Sequence, residues 1–299
     1  MPKLTLKLTF PPLPDTLARI TELMRREDVE LKEVISLIEH DPSAAAFVLK
    51  LANSPIYGLR GKVSSLQRAV VLLGIKSTLQ NLMSRVLLRT RSGFPEEVQE
   101  IARALILHNV ATALLVRKLL MYKRSPVSAG SYAMEFVSEA FTMALLHDFG
   151  KLVLLLNFPE KAGKLYRMVL EDPFHHSSFW LEQAQFGINH LSLIKEMGKR
   201  FNFPMYVQYA IMLHHAPMEQ LREAPEAARR LSLALIAANL SAHAMEHTHR
   251  LEVRERVQTH PVWPLLLEAK QTLFSSVEEI QEMLPQFWEE TRQELETMA

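Results

Sequence analysis

The sequence predicts an all-α protein, with an N-terminal five-helix bundle packed on a second, larger helical domain. Three observations carry this. Apolar residues recur at three- and four-residue spacing through most of the 299 residues. Only nine glycines interrupt them. Strand-like alternation is confined to Leu4 to Phe10, where Pro11 and Pro12 end it.

The elements follow in order. Asp15 can cap a first helix running to about Arg25, and a second spans about Leu31 to Glu39. Asp41-Pro42 reads as an N-cap followed by a proline at the first helical position, where its missing N–H costs nothing, for a third helix to about Ala52. After the turn cluster Asn53-Ser54-Pro55 and Tyr57-Gly58, Ser64 with Gln67 has the capping-box pattern for a helix ending at Gly74. Lys76 to about Thr90 is the fifth helix, and the stretch Arg91-Ser92-Gly93-Phe94-Pro95 closes the bundle, placed at residues 1–92.

A second domain, 93–260, opens with a long apolar-striped helix from Glu96 to about Met121. A loop carries Ser125-Pro126 and Gly130. Phe136 to Leu156 then reads as one helix, apolar on nearly every side and therefore surrounded by others. Further helices start near Lys161, Ser178, Leu191, Tyr206 and Pro225. Residues 261–299 close on the body through a charged helix beginning near Ser276, with Trp263, Phe287 and Trp288 as docking side chains.

Composition narrows the chemistry. With 34 Lys and Arg against 33 Asp and Glu, a net charge of +1 gives no global attraction to nucleic acid or anionic lipid. Cysteine is absent, so a metal would be held by His, Asp or Glu, which favours Fe, Mn, Zn or Mg. The N-terminus lacks the apolar core of a signal peptide and no run is an uninterrupted apolar span, so the chain reads as soluble and cytoplasmic.

Within this apolar chain, Leu145-Leu146-His147-Asp148-Phe149-Gly150-Lys151 stands out. A carboxylate and an imidazole buried side by side need hydrogen bonds, an ion pair or a metal. Candidate partners are His108, His190 and the doublet His214-His215, all on expected helices. Each histidine alone has a plain reading as a satisfied core residue; together they form a candidate metal set. His243, His247 and His249 include an i, i+4 pair that could hold a surface metal, but neighbouring Glu246 and Arg250 point to a solvated face, and His175-His176 reads as a loop doublet. Arg85, Arg89 and Arg91 could grip a phosphate or an acidic partner, with a plain solvated face as the favoured reading, and Met134, Met143, Met197 and Met212 read as core filling.

The order His108, His147-Asp148 with Gly150-Lys151, His190, His214-His215 resembles the HD superfamily of metal-dependent phosphohydrolases. The chain is more closely similar to its HDOD branch, the HD-related output domain. The sharper likeness lies in Phe10-Pro11-Pro12-Leu13-Pro14, in Ile38-Glu39-His40-Asp41-Pro42, in Leu49 to Gly58, and in Val63-Ser64-Ser65-Leu66 with Ala69 to Gly74. Glu182, Gly187 to His190, Phe203-Pro204 and His214-His215-Ala216-Pro217 extend it, so it covers about residues 10 to 299. The resemblance implies an HD-like second domain and a cytoplasmic bacterial signalling module. Its pocket would hold one or two ions of Fe, Mn or Zn, or a phosphorylated ligand, and its groove would meet a signalling protein.

Where HD phosphohydrolases supply a late Asp, this chain offers Asn239, an amide without charge, and Ala216-Pro217 stands where related cyclic-dinucleotide enzymes carry Gly-Tyr-Pro. The favoured expectation is a regulatory module without turnover. The alternative is a metallohydrolase acting on a nucleotide or cyclic dinucleotide. In it, His108, His147, Asp148, His190, His214 and His215 ligate metal, Asp148 and Lys151 serve catalysis, and Lys151 holds phosphate. A third reading is an interaction protein whose histidines bond one another or backbone carbonyls. The likeness gives no oligomeric state.

Overall fold

The computed structural model of the chain describes residues 8–298 apart from 12–14, 27, 55–62, 124–130, 174–176, 195, 197, 199–204, 248 and 271. Among the described residues the regular structure is helical, with no strand. Most of the strand-like stretch Leu4 to Phe10 lies outside them. At its end the Thr9 N–H donates to Asn157 Oδ1 at 2.8 Å and the Thr9 carbonyl accepts from Asn157 Nδ2. One side-chain amide thus satisfies both backbone groups that a neighbouring strand would have engaged.

The first helices are α1 (Asp15–Arg25), α2 (Leu31–Glu39), α3 (Pro42–Ala52), α4 (Leu66–Leu73) and α5 (Ile75–Arg89). Asp41 caps α3 through the Ser43 N–H at 2.9 Å, with Pro42 at the first position. The cap of α4 falls one residue beyond the expected Ser64: Ser65 accepts from the Arg68 N–H, and Gly74, at φ 80°, ends the helix. Arg85 lies over the Phe47 ring and Arg89 donates to Ser43 Oγ, so both arginines are engaged within these helices.

The second part comprises α6 (Gln99–Met121), α7 (Ser131–Leu146), α8 (Phe149–Asn157), α9 (Pro159–Glu171), α10 (Ser178–Phe186), α11 (Met205–Met212), α12 (Met218–Glu223), α13 (Glu226–Glu246), α14 (Leu251–Thr259), α15 (Val262–Glu268) and α16 (Val277–Met298). The segment Glu96–Met121 is long and apolar enough to cross a membrane, but 72% of its apolar window is buried within this fold. It is the core helix, packed on α7, α13 and α16. Pro225 precedes α13 as its cap residue instead of occupying the first turn. Met143 is buried as expected, whereas Met212 is half exposed beside Met205 and Tyr209; Met134 and Met197 have no described side chains.

The single helix expected over Phe136 to Leu156 is broken. α7 ends at Leu146 and α8 begins at Phe149, with His147 and Asp148 in the turn between them. The reason is a close approach. Gly150 lies against the His190 backbone so tightly that an added Cβ would sit 2.4 Å from the His190 carbonyl oxygen. Apolar patterning cannot register this break, because both halves are buried and equally greasy.

The tail is tied down by charge as well as by Trp263, Phe287 and Trp288, all buried. Glu294 on α16, 2% exposed, accepts from Arg117 at 2.6 Å and from Lys118 at 2.7 Å on α6. Breaking a buried ion pair from one side strands the other charge. Glu294→Gln is therefore expected to destabilise the chain by about 2–4 kcal/mol in urea unfolding. Gly150→Ala should cost about 1–3 kcal/mol by overpacking, and a larger chemical-shift change at His190 than elsewhere would locate the strain.

Candidate metal centre

His147 and Asp148 occupy the α7–α8 turn. Asp148 holds the N-cap position of α8, yet its carboxylate caps no backbone N–H and points inward instead. His190 opens the 3-10 turn His190–Leu193, brought back after α10 by Gly187, whose left-handed φ of 73° ends that helix. His214 and His215 lie in the 3-10 turn Leu213–His215 that finishes α11. These three turns, from separate parts of the chain, meet at Asp148.

The imidazoles share one arrangement. Nδ1 of His147 donates to the Ala144 carbonyl at 2.7 Å, Nδ1 of His214 to Ile211 at 2.6 Å, and Nδ1 of His190 to Glu182 at 2.7 Å. Anchoring Nδ1 fixes the tautomer that leaves a lone pair on Nε2, as in metal-ligating histidines. The three Nε2 atoms and Asp148 Oδ1 are all buried without a hydrogen-bond partner. His190 Nε2 lies 3.5 Å and His214 Nε2 3.8 Å from Asp148 Oδ1. Two donors bound tetrahedrally to one ion at about 2.1 Å are about 3.4 Å apart, so this spacing fits a metal. His215 stands at the solvent side, its ring 4.0 Å from that of His214. Asp148, His190, His214 and His215 bring one donor atom each within 4.8 Å of one another.

Glu182 was expected only through resemblance, and its role emerges here. Fully buried, it accepts from both the backbone N–H and Nδ1 of His190, each at 2.7 Å, and from the Tyr166 hydroxyl at 3.1 Å. Burial and the adjacent carboxylate push the Tyr166 hydroxyl well above its ordinary value, so it stays a donor. Periodicity carries no signal for a glutamate of this kind.

His108, on α6, belongs to the other side. It shares a neighbourhood with His147 and Asp148, donor atoms within 4.8 Å, but its Nε2 is hydrogen-bonded at 2.8 Å to Asn239 Oδ1. Lys151 Nζ donates to Asp148 Oδ2 at 2.5 Å. His243, expected on a solvated face, is instead stacked on His108 with ring centroids 4.2 Å apart, and Glu246 approaches His108 Nδ1 at 3.4 Å. The outward reading failed because α13 packs that face onto α6. His175-His176 lies outside the described residues.

The electrostatics follow from burial. Burial opposes a charge on Asp148, but His147 and Lys151 hold its carboxyl well below the usual range. Burial depresses His147 despite Asp148, and drives His214 well below the ordinary histidine value with help from His147. His243 is likewise driven well down, by burial and then His108. For His108 burial also opposes protonation, but the Glu246 carboxylate overrides it and raises the value.

The pattern of the HDOD domain matches residues 10–217. A Treponema pallidum (strain Nichols) protein, named only as uncharacterized, is 26% identical over 240 residues, covering 79% of this chain and 43% of its own length. The chain thus spans less than half of that curated relative. Among solved structures, an HDOD domain protein with unknown function from Geobacter sulfurreducens superposes with TM-score 0.69 at 19% identity, over 96% of this chain and 93% of its own. A Shewanella amazonensis SB2B structure named "Putative phosphohydrolase" gives 0.65 at 18% identity, over 97% and 95%. A Marinobacter aquaeolei VT8 structure named "Putative signal transduction protein" gives 0.63 at 22%, over 97% of this chain and 60% of its own. At these identities the structural likeness is one of fold. With a match that spans more than half of its length and a helical architecture in common with those structures, the chain belongs to the HDOD domain family.

Proposed function

We propose that the chain is a regulatory signalling module whose HD-type centre holds one metal ion at Asp148, His190, His214 and His215 without running hydrolysis. The observation that carries the reading is the pair of buried, anchored imidazoles of His190 and His214, whose Nε2 atoms, with Asp148 Oδ1, lack hydrogen-bond partners. Each buried polar atom left unsatisfied costs about 1–3 kcal/mol, and one cation would relieve Asp148 Oδ1 and the Nε2 atoms of His190 and His214 together. A bound ion would supply Lewis acidity toward a phosphoryl oxygen.

Two contacts argue against turnover. Lys151 lies on Asp148 Oδ2, the oxygen that a second ion would share, and Asn239 occupies His108 Nε2. An amide brings no charge where a late carboxylate would bring one, so the half of the centre around His108 is neutralised by hydrogen bonds among its own side chains. Lys151, His147 and Asp148 hold the α7–α8 turn in shape. His215, with Phe179 6.0 Å from its ring, borders the solvent side, where a phosphorylated ligand or a signalling protein would read the occupied state. The names phosphohydrolase and signal transduction protein carried by structural neighbours accord with the two halves of this reading, an inherited centre and a regulatory use.

Elemental analysis of anaerobically purified protein should find an ion of Fe, Mn or Zn that His214→Ala removes while the helical circular dichroism persists. Unchanged metal content in His214→Ala would overturn the site. Phosphodiester turnover by the metal-loaded chain, lost in Lys151→Ala, would overturn the regulatory reading in favour of a hydrolase.

Stability of the metal-free chain should depend on pH through the same rings. Above about pH 6.5 the rings of His147, His214 and His243 are neutral in the folded and unfolded forms alike. As pH falls below that, the unfolded chain takes up protons that folded His147, His214 and His243 refuse, and stability is lost toward their depressed values. His108 runs the other way: its raised value stabilises below about pH 6.5 and that contribution fades as pH rises through it. With depressed rings outnumbering the raised one, Tm measured calorimetrically should fall between about pH 7 and pH 5.5.

A further inference from the structure

We infer that His108, His243 and Glu246 form a second transition-metal site, separate from the Asp148 cluster and suited to zinc, at the contact of α6 with α13. His243 and Glu246 are three residues apart on α13 and so share a helix face, and His108 comes from the core helix opposite. One donor atom from each lies within 4.8 Å of the others. Two imidazoles and one carboxylate are a donor set that zinc accepts with a fourth position left to water.

The ring of His108 carries the argument. Only 2% exposed, it is fixed by the bond from Nε2 to Asn239 Oδ1, which makes Nε2 the donor and turns Nδ1 toward α13. Nδ1 is buried and makes no hydrogen bond, while Glu246 Oε1 stands 3.4 Å away without hydrogen-bond alignment. That separation is the spacing of about 3.4 Å expected for two tetrahedral ligands of one ion. Asn239 thus does for His108 what Glu182 does for His190: it anchors one nitrogen so that the other is presented. The His243 ring is stacked on His108, 26° from parallel with centroids 4.2 Å apart, and a turn about Cβ–Cγ would direct its lone pair at the same ion. Glu246, with 29% of its side chain exposed, gives the ion a path from solvent.

The competing occupant is a proton, shared between His108 and Glu246 as an ion pair. The two differ in what His243 contributes: an ion needs it as a ligand, whereas a proton leaves it a stacking partner. The inference does not rest on the Asp148 site, since the ligand atoms differ and His108 uses the nitrogen that faces away from Asn239.

Equilibrium dialysis of the full chain against zinc tests it, with His243→Gln, Glu246→Gln and His214→Ala alongside and circular dichroism confirming that each is folded. The expected result is two ions in the parent chain, one lost in His243→Gln and in Glu246→Gln, and the other lost only in His214→Ala. A single ion lost in His214→Ala alone overturns the second site and leaves the Asp148 centre standing. A single ion lost only in the α13 variants keeps the second site and removes the Asp148 centre. Undiminished zinc in His243→Gln and Glu246→Gln, or no zinc in the parent chain, overturns the inference.

Discussion

The buried carboxylate of Asp148 is the constraint around which the second half of this protein is arranged. An ionised carboxylate in an apolar interior costs several kcal/mol unless cations or donors surround it. Lys151, one turn along α8, supplies the cation at 2.5 Å, and His147, His190 and His214 supply the polarisable walls. To assemble them the chain must break a long apolar helix at residues 147–148, reverse direction at Gly187, and finish α11 in a 3-10 turn. Each of these three irregularities brings one of the clustered histidines toward Asp148.

Those turns are held by the backs of the rings. The carbonyls of Ala144 and Ile211, each three residues before its histidine, accept the Nδ1 protons of His147 and His214, so local helix geometry sets both orientations without help from distant side chains. His190 begins its turn and lacks an upstream helical carbonyl. Glu182, from the preceding helix, takes that role with Tyr166 behind it. The Nδ1 side of each ring is thus held by backbone where the chain provides it and by a buried carboxylate where it does not.

This division explains what could be read from the residues alone. Helix limits marked by caps, such as Asp41-Pro42 and Gly74, were legible because capping is local chemistry. The doublets His147-Asp148 and His214-His215 were legible because charged and polar pairs in apolar surroundings demand an account. The break between α7 and α8 was hidden, since it depends on Gly150 meeting the His190 backbone, forty residues away in sequence. Glu182 had no periodic signal, and His243 looked outward because its neighbours Glu246 and His247 are polar. Only the packing of α13 on α6 shows that His243 meets His108.

Charge counting links the centre to its proposed use. Asp148 and Glu182 bring two carboxylates into the interior and Lys151 one cation, while depressed His147 and His214 remain neutral near pH 7. The buried set therefore carries one formal negative charge, enough to receive a divalent ion and end at one positive charge. A second ion beside it would raise that to three in a low-dielectric interior, where such repulsion is severe. An aspartate at position 239 would have offset part of this, and Asn239 does not. The same amide, by fixing His108 with Nδ1 toward Glu246, places the next available carboxylate on the far side of the ring. On the proposed reading, the amide would thus set the two proposed cation sites on opposite sides of His108, in keeping with holding ions and a conformation rather than activating water between them.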